Sequence, residues 1–149
     1  MNLRTTVGFV ADFPSVSNRE SPAGRELAQF IVDALNENGF LAESPDGSGG
    51  WAWEFFTSNS GLRILTTVGF VGDMGTTPPR QWLITNDTAI GVFKRLFGGT
   101  SLSQRNNDFL RRFCENIHEI IAADDRFSDV LWYDVSTFDK PNDQPAKNP

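Results

Sequence analysis

Two aspartates occupy equivalent positions in a repeated segment of the sequence. Residues 5–13 read TTVGFVADF and residues 66–74 read TTVGFVGDM, so seven of nine positions are identical. Asp12 belongs to the first copy and Asp73 to the second. Two carboxylates at matched strand ends can hold a divalent cation or divide acid and base roles between them. We favour the simpler interpretation, two similar core strands, because a helix is expected after the first copy and a strand after the second.

The single histidine and the single cysteine fall on one predicted helix, as His118 and Cys114. Their number excludes paired-histidine zinc motifs, an internal disulfide and a multi-cysteine metal site. Acidic neighbours favour a surface role for His118 over a general base, and the mid-helix position of Cys114 favours a buried small hydrophobe over a nucleophile. The sequence also lacks the nucleophile-elbow, Walker A and dinucleotide-binding glycine motifs. We therefore predict no catalytic residue, no metal ligand and no cofactor.

A pair of glycines, Gly98 and Gly99, directly precedes a predicted helix in a basic stretch of the chain. Backbone N–H groups at a helix N-terminus bind anions, and glycines allow a ligand to approach closely. Residues 94–112 contain five basic residues and one acidic residue. An alternative anion-binding site is therefore predicted at Gly98, Gly99 and Arg105. The competing interpretation is an ordinary helix break, with the arginines paired to nearby acids.

Acidic residues concentrate on one helical face and in the C-terminal third of the chain. Residues 115–143 contain eight acidic residues and two basic ones, an excess that attracts a basic partner over a Debye length of about 8 Å. The competing interpretation is a solvated surface. The predicted partner-binding residues are Glu26, Asp33, Glu37, Glu115, Glu119, Asp124 and Asp125.

Aromatic residues make up 12% of the chain, and three of them alternate along one predicted strand. Trp51, Trp53 and Phe55 share a face of that strand because successive side chains point to opposite sides. The row is either buried beneath the helices or part of an exposed patch. Burial is favoured, because large aromatic side chains dominate cores as well as interfaces.

The spacing of hydrophobic residues predicts the helices and strands that carry these residues. Ser21 and Pro22 are expected to begin the first helix, and Gly39 to lie just past its end. The predicted elements are strands over 5–10, 40–43, 51–56, 62–71, 81–85 and 130–135, and helices over 21–39, 89–97 and about 103–123.

These elements predict an α+β fold in the order β-α-β-β-β-β-α-α-β. Short connections favour a mainly antiparallel sheet, and one-sided apolar stripes favour two amphipathic helices packed on one of its faces. A chain of 149 residues with 39% hydrophobic residues can bury one core, so residues 1–135 are predicted to form a single domain. Residues 140–149 contain three prolines and no large apolar residue, so 136–149 is predicted to be a frayed polar tail.

The formal net charge of −6 argues against a general nucleic-acid or membrane-surface binder. Short apolar runs and a lone cysteine favour the cytoplasm. In general architecture alone, the predicted domain resembles small bacterial immunity proteins. We expect a non-enzymatic protein-binding module that masks or inhibits a basic protein partner, such as a toxin-immunity protein. The alternative is a small ligand- or anion-binding domain or an enzyme, with its site at Asp12 and Asp73 or at Gly98-Gly99.

Overall fold

Within the residues that it describes, the computed structural model contains one six-stranded sheet and two long helices. It describes residues 3–16, 21–72, 80–88, 100–136, 138, 140 and 143–149, and for 100–106 it describes the backbone alone. The strands are β1 (Thr6–Ala11), β2 (Leu41–Ala42), β3 (Trp53–Asn59), β4 (Leu62–Phe70), β5 (Trp82–Thr88) and β6 (Phe127–Tyr133), and the helices are α1 (Arg25–Glu37) and α2 (Thr100–Ala122). The strand order is β2-β3-β4-β5-β1-β6, with every neighbouring pair antiparallel. The predicted α+β class is confirmed.

Both helices pack on one face of the sheet around a single core cluster. Leu27 and Ile31 of α1 and Phe113 of α2 are fully buried there, together with Phe9 and Trp82 of the sheet. The one-sided stripes of the two helices therefore meet the apolar side chains of alternate strand positions, as their periodicity predicts. In the part of the chain that the structure describes, no helix is long and apolar enough to cross a membrane.

The two copies of the repeated segment lie on either side of the same strand, β5. Each of four consecutive β5 residues pairs with the same position of both copies. The residues that share one β5 partner are Phe9 and Phe70, Gly8 and Gly69, Val7 and Val68, and Thr6 and Thr67. The repeat thus supplies two equivalent neighbours to one central strand, in agreement with the favoured interpretation. Asp73 lies outside the described residues.

The face of the sheet away from the helices carries a buried arginine. The side chain of Arg80 lies over Gly8, where an added Cβ would be 2.5 Å from Arg80 Cδ. Its guanidinium carbon is 5.5 Å from the ring centroid of Tyr133 and 4.8 Å from that of Phe138. The glycine at position 8 is therefore explained by the close approach of a long side chain.

Helix α1 begins later than the sequence predicted. Its N-cap is Gly24, which has φ 113° and no side-chain capping bond, so the prediction that Ser21 and Pro22 begin the helix is wrong. The Pro22 carbonyl instead accepts a hydrogen bond from Trp53 Nε1 at 2.9 Å, which ties this segment to β3. The expected end is confirmed, because Gly39 has φ 90° directly after the C-cap residue.

The predicted aromatic row is divided between core and surface. Strand β3 begins at Trp53, whereas Trp51 lies in the preceding loop with 67% of its surface exposed. Phe55 is buried, and Trp53 is half-buried against the core. The expectation that all three share the core is wrong for Trp51, because the strand pairing that would orient it starts two residues later.

The C-terminal tail bonds to the edge of the sheet at one position. The amide of Trp132 donates to the carbonyl of Ala146 at 2.7 Å, and the amide of Ala146 donates back at 2.9 Å. Ala146 therefore occupies the place of a seventh strand beside β6. Fraying of the rest of the tail stays a prediction, and the helix predicted over 89–97 lies outside the described residues.

Candidate functional site

A cleft of about 640 Å³ lies between the outer face of α1 and the segment that follows β1. Asp12 and Phe13 contribute to one wall, and Glu26, Asp33 and Phe30 contribute to the other. Glu26 and Asp33 are two helical turns apart, about 10 Å along the axis, and both are exposed. We call this cleft, with its rim of Asp12, Glu26 and Asp33, the acidic cleft.

Aromatic rings form the floor of the acidic cleft. The ring centroids of Phe13 and Phe30 are 5.7 Å apart, and Phe127 lies 5.5 Å from the first and 6.0 Å from the second. Phe127 in turn contacts buried Phe9 edge-on at 5.1 Å. The floor is therefore continuous with the hydrophobic core, which holds its half-buried rings in place.

A guanidinium already stacks on this floor. The Arg126 guanidinium carbon lies 4.3 Å from the Phe13 centroid and 4.7 Å from the Phe30 centroid, within the range of cation–π attraction. Asp124 accepts two hydrogen bonds from it, at 3.0 Å from Nε and 2.8 Å from Nη2. The cleft thus shows, within the molecule itself, how it accommodates an arginine side chain.

The Asp124–Arg126 pair also shifts the acidity of both groups. Hydrogen bonds from the Arg126 side chain and backbone lower the pKa of Asp124 to about 2. The pKa of Arg126 is raised, mainly by the hydrogen bond to Asp124 and further by the negative charges of Asp124 and Asp12. Both groups are therefore charged at neutral pH, and Asp124 offsets the positive charge on the floor.

The charge of the acidic cleft is negative overall. Its lining contains the carboxylates of Asp12, Glu26 and Asp33 and the cations Arg25 and Arg126, and Arg126 is already paired with Asp124. Gln29 donates a hydrogen bond of 2.8 Å to Asp33 Oδ1 and so orients one rim carboxylate. An acidic rim above aromatic rings is suited to a cationic side chain, which can contact the carboxylates and the rings at the same time.

The structure brings only part of the predicted partner-binding set to this cleft. Glu26 and Asp33 line it, and Asp124 borders it through Arg126. The other four predicted residues are exposed but do not line the acidic cleft, and these are Glu37, Glu115, Glu119 and Asp125. A partner-binding role for these four residues stays a prediction.

The alternative sites lie mostly outside the described residues. This applies to Gly98, Gly99, Asp73 and the side chain of Arg105, whereas Asp12 belongs to the acidic cleft. Among the residues with described positions, no group of three or more histidine, cysteine, aspartate or glutamate side chains is arranged to hold a metal ion.

The histidine and the cysteine of α2 both pack against other parts of the protein. His118 Nδ1 accepts a hydrogen bond of 3.1 Å from the indole Nε1 of Trp132, and the imidazole is half-buried rather than on the open surface. Cys114 is fully buried, as predicted, and burial together with the nearby Glu115 charge raises the pKa of its thiol to about 12. Such a thiol is a poor nucleophile at neutral pH.

Sequence reasoning missed the floor of the acidic cleft. Phe13 and Arg126 stand in turns far apart in the chain, and Phe30 lies at the edge of the α1 stripe. One available signal was the isolated basic residue, Arg126, within the acidic C-terminal third. Comparison of the chain with protein-family models, with curated proteins and with solved structures finds no match.

Proposed function

We propose that the protein is a non-enzymatic binding module that masks or inhibits a basic protein partner, as the immunity protein of a bacterial toxin does. The observation that carries this proposal is the acidic cleft, with carboxylates at its rim and Phe13 and Phe30 at its floor. The net charge of −6 supports it as well. We also propose a cytoplasmic location, which the single buried thiol of Cys114 supports.

The proposed binding has a steering step and an anchoring step. The negative field of the whole molecule raises the rate at which a basic partner arrives. An arginine or lysine of that partner then enters the acidic cleft, where the rim carboxylates contact its charged end and the aromatic floor packs against its apolar stem. The Arg126 guanidinium, 4.3 Å from the Phe13 ring, supports this geometry because it is an arginine side chain packed against the same floor.

The test begins with recovery of the partner from the native host. Tagged protein is used as bait at 0.1 M and at 0.5 M salt, where the Debye lengths are about 10 Å and about 4 Å. We expect a basic protein to be recovered at low salt and to be weakened or lost at high salt. The purified partner is then assayed for its own activity with and without the module, and we expect inhibition.

Two matched variants locate the binding surface. Glu26→Lys with Asp33→Lys reverses the rim of the acidic cleft, and Glu115→Lys with Glu119→Lys makes the same change in charge on exposed residues of α2. We expect the first variant to slow association at least tenfold, and the second to slow it far less. Equal slowing by the two variants would mean that the cleft acts only through the negative field of the whole molecule. Recovery of a partner without an excess of basic residues would contradict the proposal.

A further inference from the structure

A second groove lies beyond the C-terminal end of α1 and shares no lining residue with the acidic cleft. One hollow of about 300 Å³ is bounded by the loop after α1, the ends of β2 and β3, and α2. A smaller hollow of about 180 Å³ adjoins it, because Asn59, Phe109 and Arg112 line both. We call the combined hollow the Arg112 groove. Its volume is at the lower end of the range for small-molecule sites.

One side of the Arg112 groove is apolar. Phe40 and Phe109 stack at 6.3 Å with an interplanar angle of 33°, and Phe40 meets buried Phe113 edge-on at 5.6 Å. Leu41 lines the same hollow with 71% of its surface exposed. A rigid aromatic wall beside an exposed leucine leaves apolar surface that a small hydrophobic group would cover.

Arg112 brings an available positive charge to this wall. Its guanidinium carbon is 5.9 Å from the Phe109 ring centroid. Arg63 and Arg126 pair with carboxylates, but of all the carboxylates that the structure describes none is within 4.0 Å of the Arg112 guanidinium. Asp108, one turn earlier on α2, lines the smaller hollow without forming such a pair.

Asn59 adds a hydrogen-bond donor close to Arg112. Its Oδ1 accepts a bond of 3.3 Å from the Ser60 hydroxyl, which leaves the Nδ2 group without a described acceptor. By contrast, the amide of Asn38 is already used, because its Nδ2 donates to Asn116 Oδ1 at 3.0 Å. The polar end of the groove therefore offers N–H groups from two side chains, Arg112 and Asn59, and these favour an anionic oxygen ligand.

We propose that the Arg112 groove binds a small amphipathic carboxylate. Its aromatic or branched aliphatic part packs against Phe40, Leu41 and Phe109, and its carboxylate accepts hydrogen bonds from Arg112 and Asn59. One guanidinium matches the single charge of a carboxylate and its two oxygens. The proposal is independent of the proposed function, because the groove has the opposite charge preference to the acidic cleft.

The test is a titration with phenylacetate, followed by two-dimensional amide NMR of the full chain. We expect saturable shifts in residues 38–41, 58–60 and 109–112, with a Kd on the order of 1 mM for a ligand of this size. Phenethylamine keeps the ring and reverses the charge, and we expect it to bind at least tenfold more weakly. Equal binding of the two compounds, or shifts confined to other regions, would overturn the proposal.

Exposed residues allow variants that keep the fold. Arg112→Gln removes the charge, and we expect at least tenfold weaker phenylacetate binding, the usual value of a charge-assisted bond. Leu41→Ala trims the apolar side and should weaken binding severalfold. The control is Arg111→Gln, an exposed arginine on the same turn that does not line the groove; it should leave the Kd within twofold. Equal losses for both arginine variants would show a general charge effect and overturn the assignment.

Discussion

At the residue scale, Asn86 of β5 connects β4 to the residue just before β1 through one buried amide. Its Oδ1 accepts a bond of 2.9 Å from the Thr66 hydroxyl, and its Nδ2 donates to the Thr5 carbonyl at 3.0 Å. Only 3% of its surface is exposed. Buried polar groups keep their full desolvation cost when a hydrogen-bond partner is removed. A substitution that removes this amide is therefore expected to lower the stability of the fold.

We expect Asn86→Leu to lower the free energy of unfolding by about 1–3 kcal/mol, because it leaves the buried Thr66 hydroxyl without its acceptor. The Thr5 carbonyl keeps the 3.1 Å bond that it accepts from the backbone N–H of residue 86. Urea denaturation followed by tryptophan fluorescence measures the change. The control is Asp87→Leu, which places the same side chain at the exposed neighbouring position of β5. If both variants lost the same stability, the buried amide would not be the cause.

The Asp124–Arg126 pair predicts a specific dependence on pH. Because the pKa of Asp124 is lowered to about 2 in the folded protein, its contribution to stability is complete above the unfolded value of about 4. That contribution is lost as the pH falls through about 2. We expect Asp124→Asn to be slightly less stable than the parent at pH 7, since exposed pairs are screened by water, and to lose most of that difference at pH 2.

Urea unfolding of parent and variant at both pH values measures this difference. Asp125→Asn is the matched control, because Asp125 is exposed and its change should cost little stability at either pH. A stability difference between parent and Asp124→Asn that persisted at pH 2 would show that the carboxylate acts through packing and not through its charge.

At the element scale, the sheet has one edge that the tail partly covers. Ala146 exchanges both backbone bonds with Trp132 of β6, and Arg4 donates to the Gln144 carbonyl at 3.5 Å. The indole of the same Trp132 is held by His118 of α2. An uncovered strand edge offers unpaired N–H and C=O groups to other chains, so the tail protects this edge from self-pairing.

We expect deletion of residues 143–149 to speed hydrogen exchange of the Trp132 amide at least tenfold. The freed edge should also promote dimers at high concentration, which analytical ultracentrifugation detects. Ala146→Pro in the full chain removes the donated bond alone and should cause an intermediate increase in exchange. Unchanged exchange in the deletion variant would mean that the Ala146 bridge does not protect the edge in solution.

At the scale of the whole molecule, the two surfaces carry different charged groups. The acidic cleft carries Asp12, Glu26 and Asp33, whereas the Arg112 groove presents a guanidinium without a described carboxylate partner. The net charge of −6 belongs to the molecule as a whole and affects the association rate of every charged partner. The residues of each surface determine which ligand remains bound.

We expect Arg111→Glu with Arg112→Glu to leave association of the proposed basic partner intact and to raise its rate modestly, since these residues lie away from the acidic cleft and the variant adds negative charge to the molecule. Stopped-flow mixing at 0.05 M and 0.2 M salt measures the rate. The matched comparison is the cleft variant, Glu26→Lys with Asp33→Lys. Loss of binding in the arginine variant, with an unchanged rate in the cleft variant, would assign the partner to the Arg112 groove.

Local pattern was sufficient for the class of fold and for most of its elements. The stripe of α1 and the alternation in β4 and β5 follow from side-chain period alone, since each period places apolar residues on one face. Gly39 ends α1 as expected. The repeated segment also predicted two similar strands. That both strands pair with β5 in the same register could be seen only in the folded sheet.

Contacts between distant segments decided the rest. Trp51 and Trp53 have the same local pattern, yet only Trp53 reaches the Pro22 carbonyl and packs on the core. The floor of the acidic cleft joins Phe13, Phe30 and Arg126 from three separate parts of the chain. Periodicity reports which face of an element is apolar, but not which other element that face will meet, because such pairing depends on the packing energy of the whole chain.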